Sequence, residues 1–407
     1  MIGEGEALGR LRAYAERFEA GRETVERIAS AVAAGDPAAG LRGLLERFLD
    51  EQDHDGRDIT AMLLADVAGA GALPVLTMAA DRDLGDTPHD LTSMIDDLVG
   101  RERAAAREAL RGMVTGGSAE QCRIALEWSE PVLTAADVDL LAGCAGRPER
   151  EIRVLAVEVV PGPDVDGRAF RVLTDALRDV DPGVRLAAVT RLGEVRRWDC
   201  VPPLAALTTD PDPSVRARAA YVLGRIGAAS RASAATPARE AGREGAGRQE
   251  MLLAALRVLL GDEDERVRGR AGEALGVIGG DPAVGVLLAE AEAGDPRQRV
   301  RAAKGLAQVV DDDPRAEPAI RALARDADAS VRAAVLSGLA TAGGISGRWQ
   351  PLVDELAADT DVTVRHRVVG TVAHLHPYPR KILTVLASAD PSGFVREAAA
   401  TALAALR

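Results

Sequence analysis

The stretch DPDPSVRARAAYVLGRIG, residues 210–227, carries the signals of a turn followed by an amphipathic helix. Asp212 is expected to cap this helix by accepting hydrogen bonds from first-turn N–H groups, and Pro213 suits the first helical position because it lacks an N–H. Apolar side chains fall on one face at helical spacing: Val215, Ala219, Ala220 and Leu223. Two glycines, Gly224 and Gly227, are expected to end the helix and turn the chain.

We call this pattern of a turn, a capped helix start, an arginine and an apolar face the frame. It recurs through residues 148–407, each time with an arginine near the start of the predicted helix. Successive frame arginines are 31 to 33 residues apart, except for one interval of 52. The long interval contains residues 228–249, which are rich in Ala, Gly, Ser and Arg and are predicted to form a disordered insert. The frame arginines are Arg153, Arg185, Arg216, Arg268, Arg299, Arg332, Arg365 and Arg396.

A second apolar helix separates most frames, so the predicted unit is a two-helix hairpin of about 32 residues. Such a hairpin cannot bury its apolar face alone and must stack on its neighbours. The pattern DPxVRxxAAxxLGxIG resembles HEAT repeats, in particular the short HEAT-like form of phycobilisome lyases and many bacterial proteins. The resemblance implies an all-α, right-handed α–α superhelix, a HEAT-like solenoid, over residues 148–407. We expect residues 1–55 to form an N-terminal helical cap and residues 56–147 to form degenerate helical repeats.

Composition argues against several classes of function. The formal net charge is −13, and residues 1–200 hold the whole excess of acids, which disfavours nucleic-acid binding. The three cysteines are widely spaced and suggest neither a disulfide framework nor a zinc site, so we expect a cytoplasmic protein. The apolar stretch at residues 62–80 is interrupted by Asp66, Gly69, Gly71 and Pro74, and we expect two short helices there rather than a membrane span.

The repeated aspartates and arginines are the first candidates for a defined role. The family resemblance implies that they form a ladder along the turns, in which the arginine of one repeat reaches an aspartate of its own or of the adjacent repeat. Asp212 and the eight frame arginines are therefore expected to stabilise the stack. Residues that vary between repeats are the better candidates for binding.

The resemblance also implies that the frame helix lines the concave face of the superhelix. We number each frame from the residue directly before its arginine, which is Val215 in residues 210–227. Positions +3, +6 and +10 then point away from the predicted core. A row of Arg218, Arg270 and Arg301 would offer bidentate donors to an acidic peptide or a phosphate. The alternative is a solvated face whose arginines pair with nearby acids. The candidate binding residues are Arg218, Tyr221, Arg225, Arg270, Glu273, Arg301, Lys304, Gln308, Arg367 and His374.

No catalytic motif or metal-binding set emerges from the sequence. His366 and His374 are too far apart on an ideal helix to share one ion without further ligands, and the calcium-like loop at residues 51–60 lacks the acid expected at its twelfth position. We therefore expect no catalytic residue, no metal and no cofactor.

Three functions fit this architecture, because a stacked-repeat fold by itself does not decide between them. The favoured hypothesis is a non-catalytic scaffold that binds a protein or an acidic peptide on its concave face. A lyase-like or chaperone-like protein that holds a small molecule or substrate peptide in the same groove is the alternative. A DNA-processing HEAT protein is the third, and it is disfavoured by the acidic charge and by Tyr221 being the one aromatic in the concave set.

Overall fold

The computed structural model describes residues 2–82, 89–162, 167–195, 197–234, 243–342, 347–372 and 380–405. Within these ranges all regular secondary structure is helical, which confirms the all-α class. The chain divides into two compact units, Met1–Arg191 and Leu192–Arg407, and this boundary is not one of those expected from the sequence.

The first unit contains helices α1 to α11 and most of α12. Their bounds are α1 Glu4–Arg17, α2 Arg22–Val32, α3 Pro37–Glu51, α4 His54–Ala68, α5 Leu73–Asp81, α6 His89–Arg101, α7 Arg103–Gly116, α8 Ala119–Glu127, α9 Val138–Ala145, α10 Arg150–Glu158, α11 Arg168–Ala176 and α12 Pro182–Val195. Short 3-10 helices occupy Gly69–Ala72 and Ala135–Asp137.

The N-terminal helices of the first unit pack as a small bundle, in which α1 and α3 both contact α4. Arg10 and Tyr14 of α1 donate hydrogen bonds of 2.6 and 2.8 Å to the Asp66 carboxylate of α4. The stretch His54–Asp81 is long and apolar enough to cross a membrane, but 67% of its most apolar window is buried inside the protein. It is two helices joined by a 3-10 turn that begins at Gly69, whose φ is +55°, as the glycines in this stretch predicted.

The second unit contains α13 Val201–Ala205, α14 Pro213–Ala234, α15 Arg243–Leu260, α16 Glu265–Ile278, α17 Gly280–Ala291, α18 Pro296–Ala307, α19 Ala316–Leu323, α20 Ala329–Thr341, α21 Gln350–Ala357, α22 Val362–Val372, α23 Arg380–Ala389 and α24 Gly393–Ala405. Three 3-10 helices lie at Trp198–Cys200, Ala206–Thr209 and Gly347–Trp349. The even-numbered helices from α14 to α24 carry the frame, and each packs against the next even-numbered helix.

The frame places its apolar residues in the core as predicted. In α14, Val215, Ala219 and Leu223 are fully buried, and the equivalent residues of α16, Val267, Ala271 and Leu275, are also fully buried. The Asp212 carboxylate accepts hydrogen bonds from the N–H groups of Ser214 at 2.7 Å and Val215 at 3.4 Å, which confirms it as a helix cap.

The prediction that Gly224 and Gly227 end the helix is wrong, because α14 continues through both to Ala234. A Cβ atom added at Gly224 would lie 2.7 Å from the Cβ of Ala274, so this glycine serves the close approach of α14 and α16.

The ends of the predicted insert 228–249 are helical. Residues 228–234 continue α14 and residues 243–249 begin α15, in keeping with the high helix propensity of alanine and arginine. The remaining residues of the insert, 235–242, lie outside the described part of the chain.

Candidate functional site

The frame arginines form a ladder with a constant geometry. Arg332 donates from Nε and Nη2 to both oxygens of Asp359, at 2.7 and 2.8 Å, and from Nη1 to the carbonyls of Asp326 and Ala327. Asp359 lies six residues before the next frame arginine, Arg365. Arg332 therefore links the turn before its own helix to the turn of the following repeat.

The same bidentate pair recurs at several repeat boundaries. The pairs are Arg153 with Asp179, Arg216 with Asp262, Arg299 with Asp326, Arg332 with Asp359, and Arg365 with Asp390. The ladder carboxylate thus belongs to the adjacent repeat. Asp212, which we expected in the ladder, caps its own helix instead, because its position four residues before Arg216 lies at the helix start.

The bonds to the carbonyls of the preceding turn also recur at Arg185 and Arg396. Arg185 donates from Nη1 to the carbonyls of Asp179 and Val180 at 2.9 and 3.2 Å. Arg396 donates from Nη1 to the carbonyls of Asp390 and Pro391 at 2.6 and 3.2 Å.

The ladder perturbs the ionisation of its carboxylates. Hydrogen bonds from Arg365 lower the pKa of Asp390, and those from Arg332 lower the pKa of Asp359, in each case against an opposing effect of burial. Arg365 and Asp390 are only 8% and 6% exposed, so this pair is nearly removed from water.

The ladder is interrupted at one boundary in the second unit. Arg268 donates to the carbonyls of Asp262 and Glu263, at 2.6 and 2.9 Å, and to the carboxylate of Glu265 in its own helix. The position six residues before the next frame arginine, Arg299, is Ala293, which has no carboxylate to accept a bond.

A polar cluster, in which Arg301 is buried and Gln298 and Glu290 are part-buried, lies in the repeat that follows this interruption. Gln298 stands where other frames have an aliphatic residue, and its Nε2 donates to Glu290 Oε1 at 3.1 Å. Arg301 donates to Glu290 Oε2, with Nη2 at 2.9 Å, and is only 4% exposed. The prediction that Arg301 faces solvent as a binding residue is therefore wrong, because Glu290 of α17 pairs with it inside the protein.

The other candidate residues lie along the surface of the frame helices in the second unit. Gln308, the residue directly after α18, donates from Nε2 to Thr341 Oγ1 of α20 at 3.1 Å, and both residues occupy position +10 of their frames. Equivalent positions on neighbouring frame helices are therefore adjacent. We call the surface formed by positions +6 and +10 of α14 to α20 the frame strip: Tyr221, Arg225, Glu273, Val277, Lys304, Gln308, Ser337 and Thr341.

Tyr221 is the most distinctive residue of the frame strip. Its side chain is 38% exposed, and the guanidinium carbons of Arg218 and Arg225 lie 5.6 and 5.8 Å from its ring centroid. Arg225 Nη1 also donates to the tyrosine hydroxyl at 3.4 Å. The positions i−3 and i+4 on one helix bring both cations to the ring.

The predicted surface row of Arg218, Arg270 and Arg301 does not form, because Arg301 is buried. Arg270 is half exposed and pairs with Glu273 at 2.8 Å, as the solvated-face alternative predicted. Lys304 is half-buried and Arg367 is exposed, and neither makes an ion pair within the described ranges. His374 lies outside the described residues.

We find no cluster of side chains for metal binding among the described residues. No group of three or more His, Cys, Asp or Glu side chains there is placed to hold an ion. In the calcium-like segment, Asp53 caps α4 by accepting from Gly56 N, and Glu51 pairs with Arg27 at 2.7 Å. The buried carboxylate of Asp137 is paired with Arg107 and Arg111, and this environment lowers its pKa to about 2 despite its burial.

The stacked two-helix repeats of the second unit have the architecture of an α-solenoid. Residues 170–244 match the family model described as HEAT repeats. The match identifies HEAT repeats within residues 170–244, as the sequence pattern predicted, and the same frame recurs in the described helices up to α24. A comparison with curated protein sequences returns no match.

Several solved structures share the fold. The structure of Kap95p with RanGDP matches with 13% identity and a TM-score of 0.55, over 98% of this chain and 61% of that chain. The Kap95:Nup1 complex matches with 14% identity and a TM-score of 0.55, over 98% of this chain and 61% of that chain. Importin beta matches with 13% identity and a TM-score of 0.52, over 97% of this chain and 60% of that chain. The chain thus spans about three fifths of the length of these proteins, and at such low identity the likeness shows the fold alone.

Proposed function

We propose that this protein is a non-catalytic scaffold that binds an acidic segment of a partner protein on the frame strip. The observation that carries the proposal is the exposed ring of Tyr221 between the guanidinium groups of Arg218 and Arg225. Tyrosine and arginine are enriched among the residues that dominate protein–protein binding energy. A ring with a cation on either side offers an apolar surface and positive charge within about two helical turns.

The charges around the strip support an acidic ligand. Arg218, Arg225, Arg270 and Lys304 lie on or beside it, and Glu273 is the one acid of the strip itself, although the whole chain has a formal charge of −13. A basic surface on an acidic protein attracts anionic segments at low ionic strength and weakens as salt rises. The similar solenoids named above were solved in complexes with RanGDP and with Nup1, so this fold supports protein binding.

A cytoplasmic location is part of the same proposal. Cys122, Cys144 and Cys200 are buried and free, which suits a reducing compartment.

A panel of fluorescent 15-residue peptides tests the proposal, each rich in Asp and Glu and carrying one apolar anchor. We expect the triple variant Arg218→Ala, Tyr221→Ala, Arg225→Ala to weaken binding by about 30-fold, which corresponds to about 2 kcal/mol. Anisotropy titrations measure the affinity, and circular dichroism checks that helicity is unchanged.

The matched control is Arg297→Ala, an exposed arginine of the same unit that lies outside the strip. Equal affinities for the triple variant and this control would overturn the proposal. Binding of duplex DNA that depends on the same three residues would favour the DNA-processing alternative instead.

A further inference from the structure

The odd-numbered helices of the second unit form a surface separate from the frame strip, and it contains an open groove of about 720 Å³. The groove is lined by the end of α15, by α17 and by the first turn of α18. α13 packs on α15 and α17 packs on α19, whereas α15 and α17 make little backbone contact with each other. The groove is the space between these two helices.

The walls of the groove are mostly apolar and small. Leu260 of α15 faces Pro282, Gly285, Val286 and Ala289 of α17 across it. Gly285 and Ala289 are four residues apart on one helix and exposed, so they would let a further helix approach α17 closely.

The exposed face of α15 carries two further apolar side chains, which are not part of the groove lining. Met251 and Val258 are 45% and 57% exposed, and their separation of seven residues places them on one side of the helix. Isolated exposed apolar residues are ordinary, but an apolar stripe beside an apolar groove is typical of a docking surface.

The charges of the groove indicate what kind of helix fits. Asp281 pairs with Arg315 at 2.7 Å, and Glu290 pairs with Arg301. Arg257 also lines the groove, is exposed, and makes no ion pair within the part of the chain that the structure describes. An occupant that places a carboxylate opposite Arg257 would complete the charge pairing of the groove.

We propose that the groove between α15 and α17 binds an amphipathic α-helix of a partner protein. The apolar face of that helix would lie against Val286 and Ala289, and a Glu or Asp at its edge would pair with Arg257. This is the helix-in-groove mode of recognition, in which side chains spaced three, four and seven residues apart anchor one helical face. The proposal is independent of the frame strip, since it involves different helices and a different ligand conformation.

A displayed library of 18-residue amphipathic helices tests the proposal. The apolar face would be varied among Ala, Val, Leu and Met, and three edge positions among Glu, Gln and Lys. We expect selection on the full chain to enrich helices with Glu at an edge position. Their affinity should fall at least tenfold for Gly285→Leu, which fills the groove without a clash because a Cβ at this glycine meets no atom within 4 Å.

A charge exchange separates docking in the groove from general apolar adhesion. We expect Arg257→Glu to weaken the selected helices and to favour versions in which the edge Glu is replaced by Lys. Gly43→Leu, at an exposed helical glycine of the first unit with equally free space, is the matched control and should bind as the unaltered chain does.

Three results would overturn the proposal. The first is that no helix is enriched, and the second is that the enriched helices bind Gly285→Leu as tightly as the unaltered chain. The third is self-association in sedimentation that Gly285→Leu abolishes, since this would assign the groove to a second copy of the chain.

Discussion

The repeat boundaries from α18 to α24 and the boundary between α16 and α18 use the same backbone arrangement with different side chains. Arg299, Arg332 and Arg365 each hold a carboxylate of the following repeat with two bonds. Arg268 keeps the bonds to the carbonyls of its own turn but meets Ala293 where the carboxylate would be. Just beyond this interruption are the Gln298–Glu290–Arg301 cluster and the open groove.

This comparison separates residues that maintain the stack from residues that are free to change. A buried ion pair gains little over an apolar contact, but an arginine left there without its carboxylate is costly, so the ladder favours one register of neighbouring repeats. Where the carboxylate is absent, that constraint on the next hairpin is lost. The boundary at Ala293, where the ladder acid is missing, is thus next to the one groove that we propose as a binding surface.

The largest effect is expected from removing one member of an intact pair. Arg365→Ala leaves the buried Asp390 carboxylate without its partner and should lower the free energy of unfolding by about 3–5 kcal/mol. Arg268→Ala removes bonds to carbonyls and to an exposed glutamate, and should cost about 1 kcal/mol. Urea denaturation of both variants measures the difference. If both variants lose the same free energy of unfolding, the bond to the ladder carboxylate adds no stability beyond the bonds to the carbonyls.

A smaller effect is expected from completing the interrupted ladder. Ala293→Asp places a carboxylate in the position of the other ladder acids, and it should stabilise the second unit by about 1 kcal/mol through a bidentate bond with Arg268. The double variant Ala293→Asp, Arg268→Ala is the control, because the new carboxylate then has no partner. Slower hydrogen exchange at residues 292–295 in the single variant than in the double variant would place the stabilisation at the new ion pair. Equal exchange rates in the two variants would contradict the prediction.

The smallest effect is expected in the pH dependence of stability. The pKa of Asp390 is lowered in the folded protein, so its contribution is present above the unfolded value of about 3.9 and is lost as pH falls through the folded value. The destabilisation caused by Asp390→Asn should therefore shrink below about pH 4, by at most about 1.4 kcal/mol per pH unit for one group. Melting temperatures from pH 6 to 3 measure it.

Asp175→Asn, at an exposed carboxylate outside the ladder, is the control for this pH series. A destabilisation by Asp390→Asn that stays constant down to pH 3 would contradict the assignment of Asp390 as an ionised ladder partner.

The sequence predicted the helical frame and its core residues correctly, but it did not identify the ladder acid. The aspartate that stands out in the frame, such as Asp212, is the helix cap, whereas the ladder acid is the residue six before the next frame arginine. That column contains Asp179, Asp210, Asp262, Ala293, Asp326, Asp359 and Asp390, so the sequence already contains both the ladder acids and the interruption at Ala293.

Other outcomes depended on contacts between helices. Gly224 has the same sequence context whether it ends a helix or allows a close approach, and only the position of Ala274 decides between these roles. Arg218 and Arg301 share position +3, yet Arg301 is buried because Glu290 on another helix pairs with it. The groove was not predicted, because it arises from the separation of α15 and α17 rather than from a motif.

The sequence by itself determined the two-helix repeat, the N-terminal helix caps, the apolar faces and the class of fold, because these depend on interactions within one turn of helix or on a repeating period. The tertiary structure alone decided which carboxylate each arginine holds, which polar residues are buried, and where the surface opens. Those features depend on side chains that are more than twenty residues apart in most pairs and become neighbours only when successive hairpins are stacked.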